Sequence, residues 1–196
     1  IDGTILKISQ GRSRFKLALS DPQDFPERPE LTDGTGLTFK GEDLLSYLET
    51  VDCAIATDET RQILCGTYLA VEDNKISVVA TDGFRMGMIV IEDPAFTFTG
   101  AECIIPRNAV HFIKTFLDGE ITVEVGKKMI AVKSDDFMAY SRLIEGTYPS
   151  YESVIPDNQN VVTISRDAFN SALRQAMTMK GDGLATLSVS QNRFTV

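Results

Sequence analysis

Apolar residues along the chain follow two rhythms, and the order of those rhythms repeats. Residues 37–40 alternate as a short strand does. From 42 to 54 the spacing lengthens, and Leu44, Leu45, Leu48 and Val51 fall on one helix face. Three strand-like runs follow at 66–71, 75–81 and 85–91, the first two joined by a Glu-Asp-Asn turn at 72–74. The order then begins again. Residues 101–105 predict a strand, and Pro106 opens a helix, where its missing N–H costs nothing. Ala109, Phe112, Ile113, Phe116 and Leu117 predict that helix's apolar face, and Asp118-Gly119 its end. Strands are expected at 120–125, 129–134 and 137–144, with Gly126-Lys127 turning between the first two. Two strand-helix-three-strand units thus lie side by side between about Pro29 and Pro156.

The flanks read as pieces of the same unit. Residues 4–9 and 14–19, linked by Gln10-Gly11-Arg12-Ser13, predict a hairpin, and 20–30, rich in Pro and Asp, a linker. After Pro156-Asp157-Asn158, a strand is expected at 161–164. Ser165 then caps a helix whose apolar face is Ala168 or Phe169, Ala172, Leu173, Ala176 and Met177. Residues 184–190 and 193–196 open another hairpin. The expected organisation is the C-terminal tail of one domain over 1–28, a complete second domain over 29–156 and the N-terminal part of a third over 157–196. The first residue is an isoleucine within a strand-like run, so the chain is expected to be cut from a longer one.

The fold class that follows is α+β, with repeated β-α-β-β-β units and antiparallel sheets. Each unit offers a sheet with one apolar face and a helix with one apolar stripe. Two such units bury these together when both helices pack on one sheet surface. The sheet edges stay free to extend into neighbouring domains.

Composition narrows the classes of function. At 43% hydrophobic and 24% charged residues the chain can bury a core and is not of the disordered type. No apolar run approaches the ~20 residues of a membrane span, and no basic, apolar leader marks export. Cys53, Cys65 and Cys103 are far apart and lack CxxC spacing, so they read as structural thiols in a reducing cytoplasm. A net charge of −9 argues against a protein that simply coats nucleic acid. Screening over about 8 Å in physiological salt still lets a local basic surface act on its own.

Short segments, in order, carry a resemblance. Gly11-Arg12-Ser13-Arg14-Phe15 is followed by Asp24-Phe25-Pro26; Thr60-Arg61 and Gly66 precede Val79-Ala80-Thr81-Asp82-Gly83-Phe84-Arg85-Met86. Ile105-Pro106-Arg107 comes next, then Gly146-Thr147-Tyr148-Pro149-Ser150-Tyr151 with Val154-Ile155-Pro156. This set resembles the beta sliding clamp family of bacterial DNA polymerase III, from the close of the first domain into the start of the third. The resemblance implies a DNA-clamp fold, with two crescent subunits forming a six-domain homodimeric ring, helices inside and sheets outside. It implies a non-catalytic processivity factor without cofactor or metal. Its partners would be duplex DNA, bound without regard to sequence, and polymerases and a clamp loader docking through short hydrophobic motifs.

Two surfaces are implied by the same resemblance. A peptide pocket would take Leu64, Thr81, Gly83, Phe84, Arg85, Met86, Pro149, Ser153 and Val154. An apolar groove with a few polar rim groups suits a short segment. Phe84 stands where the family often has histidine, and Ser153 where some members have arginine. A DNA-facing surface would take Arg61, Gln62, Arg107, Asn108, Lys114, Arg166, Arg174 and Lys180, with His111 and Asn170 on the same helix faces. Contacts that must slide go to phosphates and water, not to base edges. Glu42, Asp43 and Glu49 on the first helix run against such a surface.

The residues themselves leave other readings open. Residues 81–85 could be a plain hairpin turn with Met86 in the core, and the scattered cations could be an ordinary solvated helix face. A clamp-like peptide-binding module that does not encircle DNA is the first alternative. A metal-dependent nuclease built on Asp82, Asp58 and Glu59 is a remote one. His111 is the chain's single histidine and has no neighbouring Cys or His for a metal site. No GxxxxGK[ST] phosphate loop or GxSxG elbow is present.

Overall fold

In the computed structural model the chain divides into two compact units, one ending at Pro149 and one starting at Ser150. Residues 4–25, 27, 29, 31, 34–72, 74–92, 100–159, 161–178, 185–190 and 193–196 are described; Thr35 is described by its backbone alone. Each unit is described by itself.

The first unit begins with a hairpin, β1 (Ile5–Gln10) against β2 (Ser13–Ala18), paired antiparallel from Ile5 opposite Ala18 to Gln10 opposite Ser13. Two equivalent halves follow. The first is β3 (Thr35–Lys40), α1 (Gly41–Asp52), β4 (Gly66–Glu72), β5 (Lys75–Thr81) and β6 (Met86–Glu92). The second is β7 (Ala101–Pro106), α2 (Arg107–Lys114), β8 (Glu120–Val125), β9 (Met129–Lys133) and β10 (Met138–Arg142). The predicted β-α-β-β-β order is therefore observed twice, and the α+β class with it.

The halves exchange strands. β3, which leads into α1, pairs with β8 of the other half, and β7, which leads into α2, pairs with β4. The sheets run β10-β9-β8-β3 and β6-β5-β4-β7, all antiparallel. Periodicity could not show this swap, because a strand's pattern fixes which face is apolar and not which strand lies beside it. The exchange leaves neither half complete alone. Beyond β10, the Ile144 N–H donates to the Ile104 carbonyl of β7 (2.9 Å), joining the sheets at that corner.

One core fills the space the sheets enclose. Leu37 and Phe39 sit opposite Val123 and Ile121, and Val123 opposite Val132; on the other sheet Leu69 sits opposite both Val78 and Cys103. Leu44, Leu48 and Val51 of α1 and Val110 and Ile113 of α2 enter the same cluster. Both helices therefore lie on the core side of both sheets. α1 carries Glu42 and Asp43 in its first turn, the sign that its N-terminal dipole favours.

Some expectations need correction. α2 ends at Lys114 and does not reach Leu117; Pro106 caps it from outside, with Arg107 as the first helical residue. Its buried residues are Val110 and Ile113, with Ala109 and Leu117 packed at the edge, while Phe112 and Phe116 stay exposed. Spacing alone selected the larger apolar residues, but Phe112 lies two positions from Val110 and so points away from it. Leu45 of α1 is half-buried. Short 3-10 turns at Glu59–Leu64 and Tyr151–Val154 had no periodic signal. Of the 72–74 turn, Asp73 lies outside the described residues; Asn74 takes φ 61°.

In the second unit, α3 (Arg166–Met177) starts as predicted. The Ala168 N–H donates to the Ser165 hydroxyl at 3.4 Å. Phe169, Ala172, Leu173 and Ala176 are half-covered, while Ala168 and Met177 are exposed. The expected strand at 161–164 is not formed. A short hairpin of β11 (Ser188–Ser190) and β12 (Arg193–Thr195) closes the unit, and Phe169 meets Phe194 edge-on. The predicted start of this hairpin at 184 lies outside the described residues.

Candidate functional site

The loop between β5 and β6 is closed by its own hydrogen bonds. Thr81 pairs with Met86, leaving Asp82-Gly83-Phe84-Arg85 to turn the chain. The Asp82 carboxylate accepts from the Phe84 and Arg85 N–H groups (2.9 and 3.0 Å) and from the Arg85 guanidinium (3.1 Å). The Thr81 hydroxyl accepts from the Gly83 N–H and donates to the Arg85 carbonyl. Gly83 takes φ +87°, a conformation that a Cβ would strain. The two backbone bonds, and then Arg85, hold the Asp82 carboxyl below its usual range. This bonding leaves Phe84 held out into solvent at 92% exposure.

Two other segments converge on the loop. The turn Glu59–Leu64 is capped by Asp58, whose carboxylate accepts from the Thr60 hydroxyl (2.7 Å) and N–H (3.0 Å) and is held low by those bonds. It brings Arg61 to 6.0 Å from the Phe84 ring centroid, beside Gly83. Its Leu64 is buried. From the other side, Gly146 lies against Ile63, and Tyr148 stacks on Tyr68 with centroids 4.7 Å apart. Burial pushes the Tyr148 hydroxyl up to about 12, only partly offset by the Thr81 backbone. Tyr148 thus sits beside Thr81 at the base of the loop, and the 146–149 segment ends in exposed Pro149. In the second unit, Ser153 donates to the Ser150 carbonyl at 2.7 Å and Val154 is exposed.

The cations expected to face DNA are placed unequally. Arg61 and Gln62 are exposed on the 3-10 turn, with the Arg61 Nε 4.0 Å from Asp58. Asn108 is exposed and Arg107 half-buried at the start of α2. Lys114 is only 17% exposed and lies 2.9 Å from Asp52, whose other oxygen is 2.9 Å from His111 Nε2. Burial pushes the Asp52 carboxyl up, but the hydrogen bonds and charges of Lys114 and His111 outweigh it, and the net shift is downward. This cluster ties α1 to α2. Sequence reasoning missed Asp52 because its partners lie 59 and 62 residues away. Arg166 and Arg174 are exposed on α3, Arg174 donating to Asn170 at 3.4 Å. Lys180 lies outside the described residues.

Metal chemistry has no assembled donors among the described residues: no three His, Cys, Asp or Glu side chains gather as an ion requires. Asp58 and Asp82 each cap their own turn. Among the described residues no helix is long and apolar enough to cross a membrane.

Comparison with known proteins agrees with this architecture. A beta sliding clamp of Chlamydia pneumoniae is 30% identical over 176 residues, covering 88% of this chain and 48% of that protein. The chain thus spans about half the length of the curated relatives it matches. The crystal structure of the DNA polymerase III subunit beta from Pseudomonas aeruginosa shares the fold with a TM-score of 0.85 at 24% identity, over 93% of this chain and 51% of that one. A sliding clamp from Bartonella birtlesii bound to griselimycin superposes with a TM-score of 0.81 at 30% identity, over 92% and 51%. The family model described as DNA polymerase III beta subunit, central domain, matches residues 38–150, more than half of the sequence, and so the chain belongs to the DNA polymerase III beta subunit family.

Proposed function

We propose that the chain is about half of a sliding clamp subunit, a processivity factor that encircles duplex DNA and tethers polymerases without chemistry of its own. The observation that supports this best is the paired core: two helices side by side in one core, backed by two sheets whose strands are exchanged. Such a domain is stiff and repeatable, and its sheet edges can continue into further domains. Residues 1–28, 29–156 and 157–196 would be the end of a first domain, the whole of a second and the opening of a third. Full-length subunits would pair into a ring in the cytoplasm. Enclosure replaces tight binding, because a polymerase that releases the primer end is held close enough to rebind.

The peptide pocket would be the Phe84 loop surface, with Leu64, Thr81, Gly83, Arg85, Met86 and Pro149; Ser153 and Val154, expected in the same pocket, belong to the second unit. Short hydrophobic motifs of polymerases and a clamp loader are its proposed ligands; the griselimycin-bound relative fits a pocket of that kind in this family. Arg61, Gln62, Arg107, Asn108, Arg166, Arg174 and Lys180 would face phosphates. Lys114 would contribute less, since Asp52 already neutralises it.

The test loads the full-length protein on nicked circular DNA and then linearises the circle. A clamp slides off the ends. Retention on linear DNA would instead indicate direct binding, and failure to stay on the intact circle would favour a peptide module that does not encircle. Exposed Glu42, Asp43 and Glu49 on α1 are the specific observation on the side of that second reading.

A further inference from the structure

The second half of the first unit carries a counterpart of the Phe84 loop, built with two carboxylates where the first has a paired Asp82 and Arg85. β9 and β10 close on Lys133 opposite Met138, as β5 and β6 close on Thr81 opposite Met86. Both hairpins therefore end in four-residue loops, Asp82-Gly83-Phe84-Arg85 and Ser134-Asp135-Asp136-Phe137. The same backbone bond spans each, from Asp82 N–H to the Arg85 carbonyl (3.4 Å) and from Ser134 N–H to the Phe137 carbonyl (2.8 Å). In the first loop, Arg61 from the segment after α1 lies near Phe84. In the second, Phe116 from the segment after α2 stacks on Phe137, with centroids 4.2 Å apart and planes 12° from parallel. Phe112 sets its ring edge-on to Phe116 at 5.2 Å.

A groove of about 620 Å³ opens beside these rings. Phe112 and Phe116 remain 54% and 41% exposed. Asp118, Glu120, Asp135 and Asp136 line the same groove, and no ion pair to any of them is formed among the described residues. Its one ammonium, Lys114, is engaged by Asp52. Aromatic faces beside uncompensated carboxylates suit a side chain with an apolar stem and a cationic head. The stem covers the rings, and the head sits over a ring face or against the acids. Four carboxylates outnumber the lining Lys114, already held by Asp52, and Lys40 across from Glu120, so phosphates meet net repulsion and a nucleic acid is the wrong occupant.

We propose that this groove docks a peptide segment in which arginine or lysine stands next to bulky apolar residues, a second docking site separate from the Phe84 loop. The apolar residue would rest on the Phe116–Phe137 stack, and the cation would reach Asp135 and Asp136. The groove lies wholly within the first unit and does not depend on the Phe84 loop taking a peptide.

The test titrates the full chain with a short fluorescein-labelled peptide that alternates arginine with leucine and phenylalanine, and maps backbone amide shifts by NMR. Shifts are expected at residues 115–120 and 134–138. Phe116→Ser and, separately, Asp135→Asn with Asp136→Asn should each weaken binding about tenfold. Phe84→Ala should leave the shifts at 115–120 and 134–138 unchanged, whatever it does to shifts around residue 84, and this variant separates failure of this groove from failure of the pocket reading above. The exposed asparagine variants keep the test sharp if Phe116→Ser disturbs folding. Binding insensitive to both changes, equal binding of an arginine-only peptide, or displacement by single-stranded oligothymidine would each overturn the proposal.

Discussion

The two halves of the first unit share one topology and use their apolar residues differently. In the first half, α1 is 12 residues long and sends Leu44, Leu48 and Val51 fully into the core. It can sit low because Gly87 of β6 leaves room: a Cβ there would fall 2.9 Å from the Val51 Cα. In the second half, α2 is 8 residues long, buries only Val110 and Ile113, and leaves Phe112 outside. The residue equivalent to Gly87 is Ala139. A repeated framework thus fixes the core in both halves, while the helix lengths and closing loops are free to carry different surfaces. The first half presents one exposed phenylalanine beside two arginines. The second presents stacked phenylalanines beside carboxylates.

The sharpest way to break this comparison is through the core that both halves are said to share. Ile113→Ala should cost about 2–4 kcal/mol, as for other buried aliphatic truncations. Urea unfolding would show a lower midpoint with an unchanged slope. A cost near zero would mean that α2 does not complete the core. Gly87→Ala comes next. The new methyl meets the Val51 Cα and, at 3.3 Å, the Thr50 carbonyl, both backbone atoms that cannot swing aside. Overpacking of this kind costs about 1–3 kcal/mol. The same measurement on Ala139→Gly should show about 1–2 kcal/mol, from the backbone-entropy penalty and one lost buried methyl. A Gly87→Ala variant as stable as the unaltered chain would erase the difference in helix seating.

Much of this unit was legible in the chain, for a physical reason. Strands 75–81 and 120–125 were read to the residue, because runs rich in β-branched residues and bounded by turn formers carry their own signal. The α1 stripe was legible because Leu44, Leu48 and Val51 are all large. The α2 stripe was misread because its buried residue is Val110 and its larger neighbours face solvent. The exchange of β3 and β7 between sheets, and the Asp52 cluster, were not legible, since both join residues far apart in sequence. The Phe84 loop was singled out through family resemblance; its internal bonding, with Asp82 as the organising group, emerged only from the structure.

A smaller effect tests the joint between the halves. Asp52 closes α1, where a negative charge opposes the helix dipole, yet Lys114 and His111 hold it there. Its folded carboxyl is lowered from 3.8. A lowered carboxyl contributes stability that is complete above the ordinary value and is lost as pH falls through the folded one. Asp52→Asn should therefore cost about 1 kcal/mol near pH 6, and the gap to the unaltered chain should close as pH drops below the usual carboxylate range. A gap that persists at low pH would show that packing, and not charge, joins the helices.

The smallest expected effect is the most informative about the second half. Phe112 is more than half exposed and meets Phe116 at 5.2 Å and Phe137 at 6.2 Å only from the side, so Phe112→Ser removes little area that folding had taken from water. At about 25 cal/mol per Å² of apolar surface, the residual contact amounts to less than about 1 kcal/mol. If Phe112→Ser instead destabilises the unit as strongly as Ile113→Ala, the ring belongs to the core. The groove beside Phe116 and Phe137 would then be closed in solution, and the two halves would differ only in which side chains fill the same interior. A neutral substitution keeps Phe112 as surface, held out of the core by the register of α2 and available to a partner.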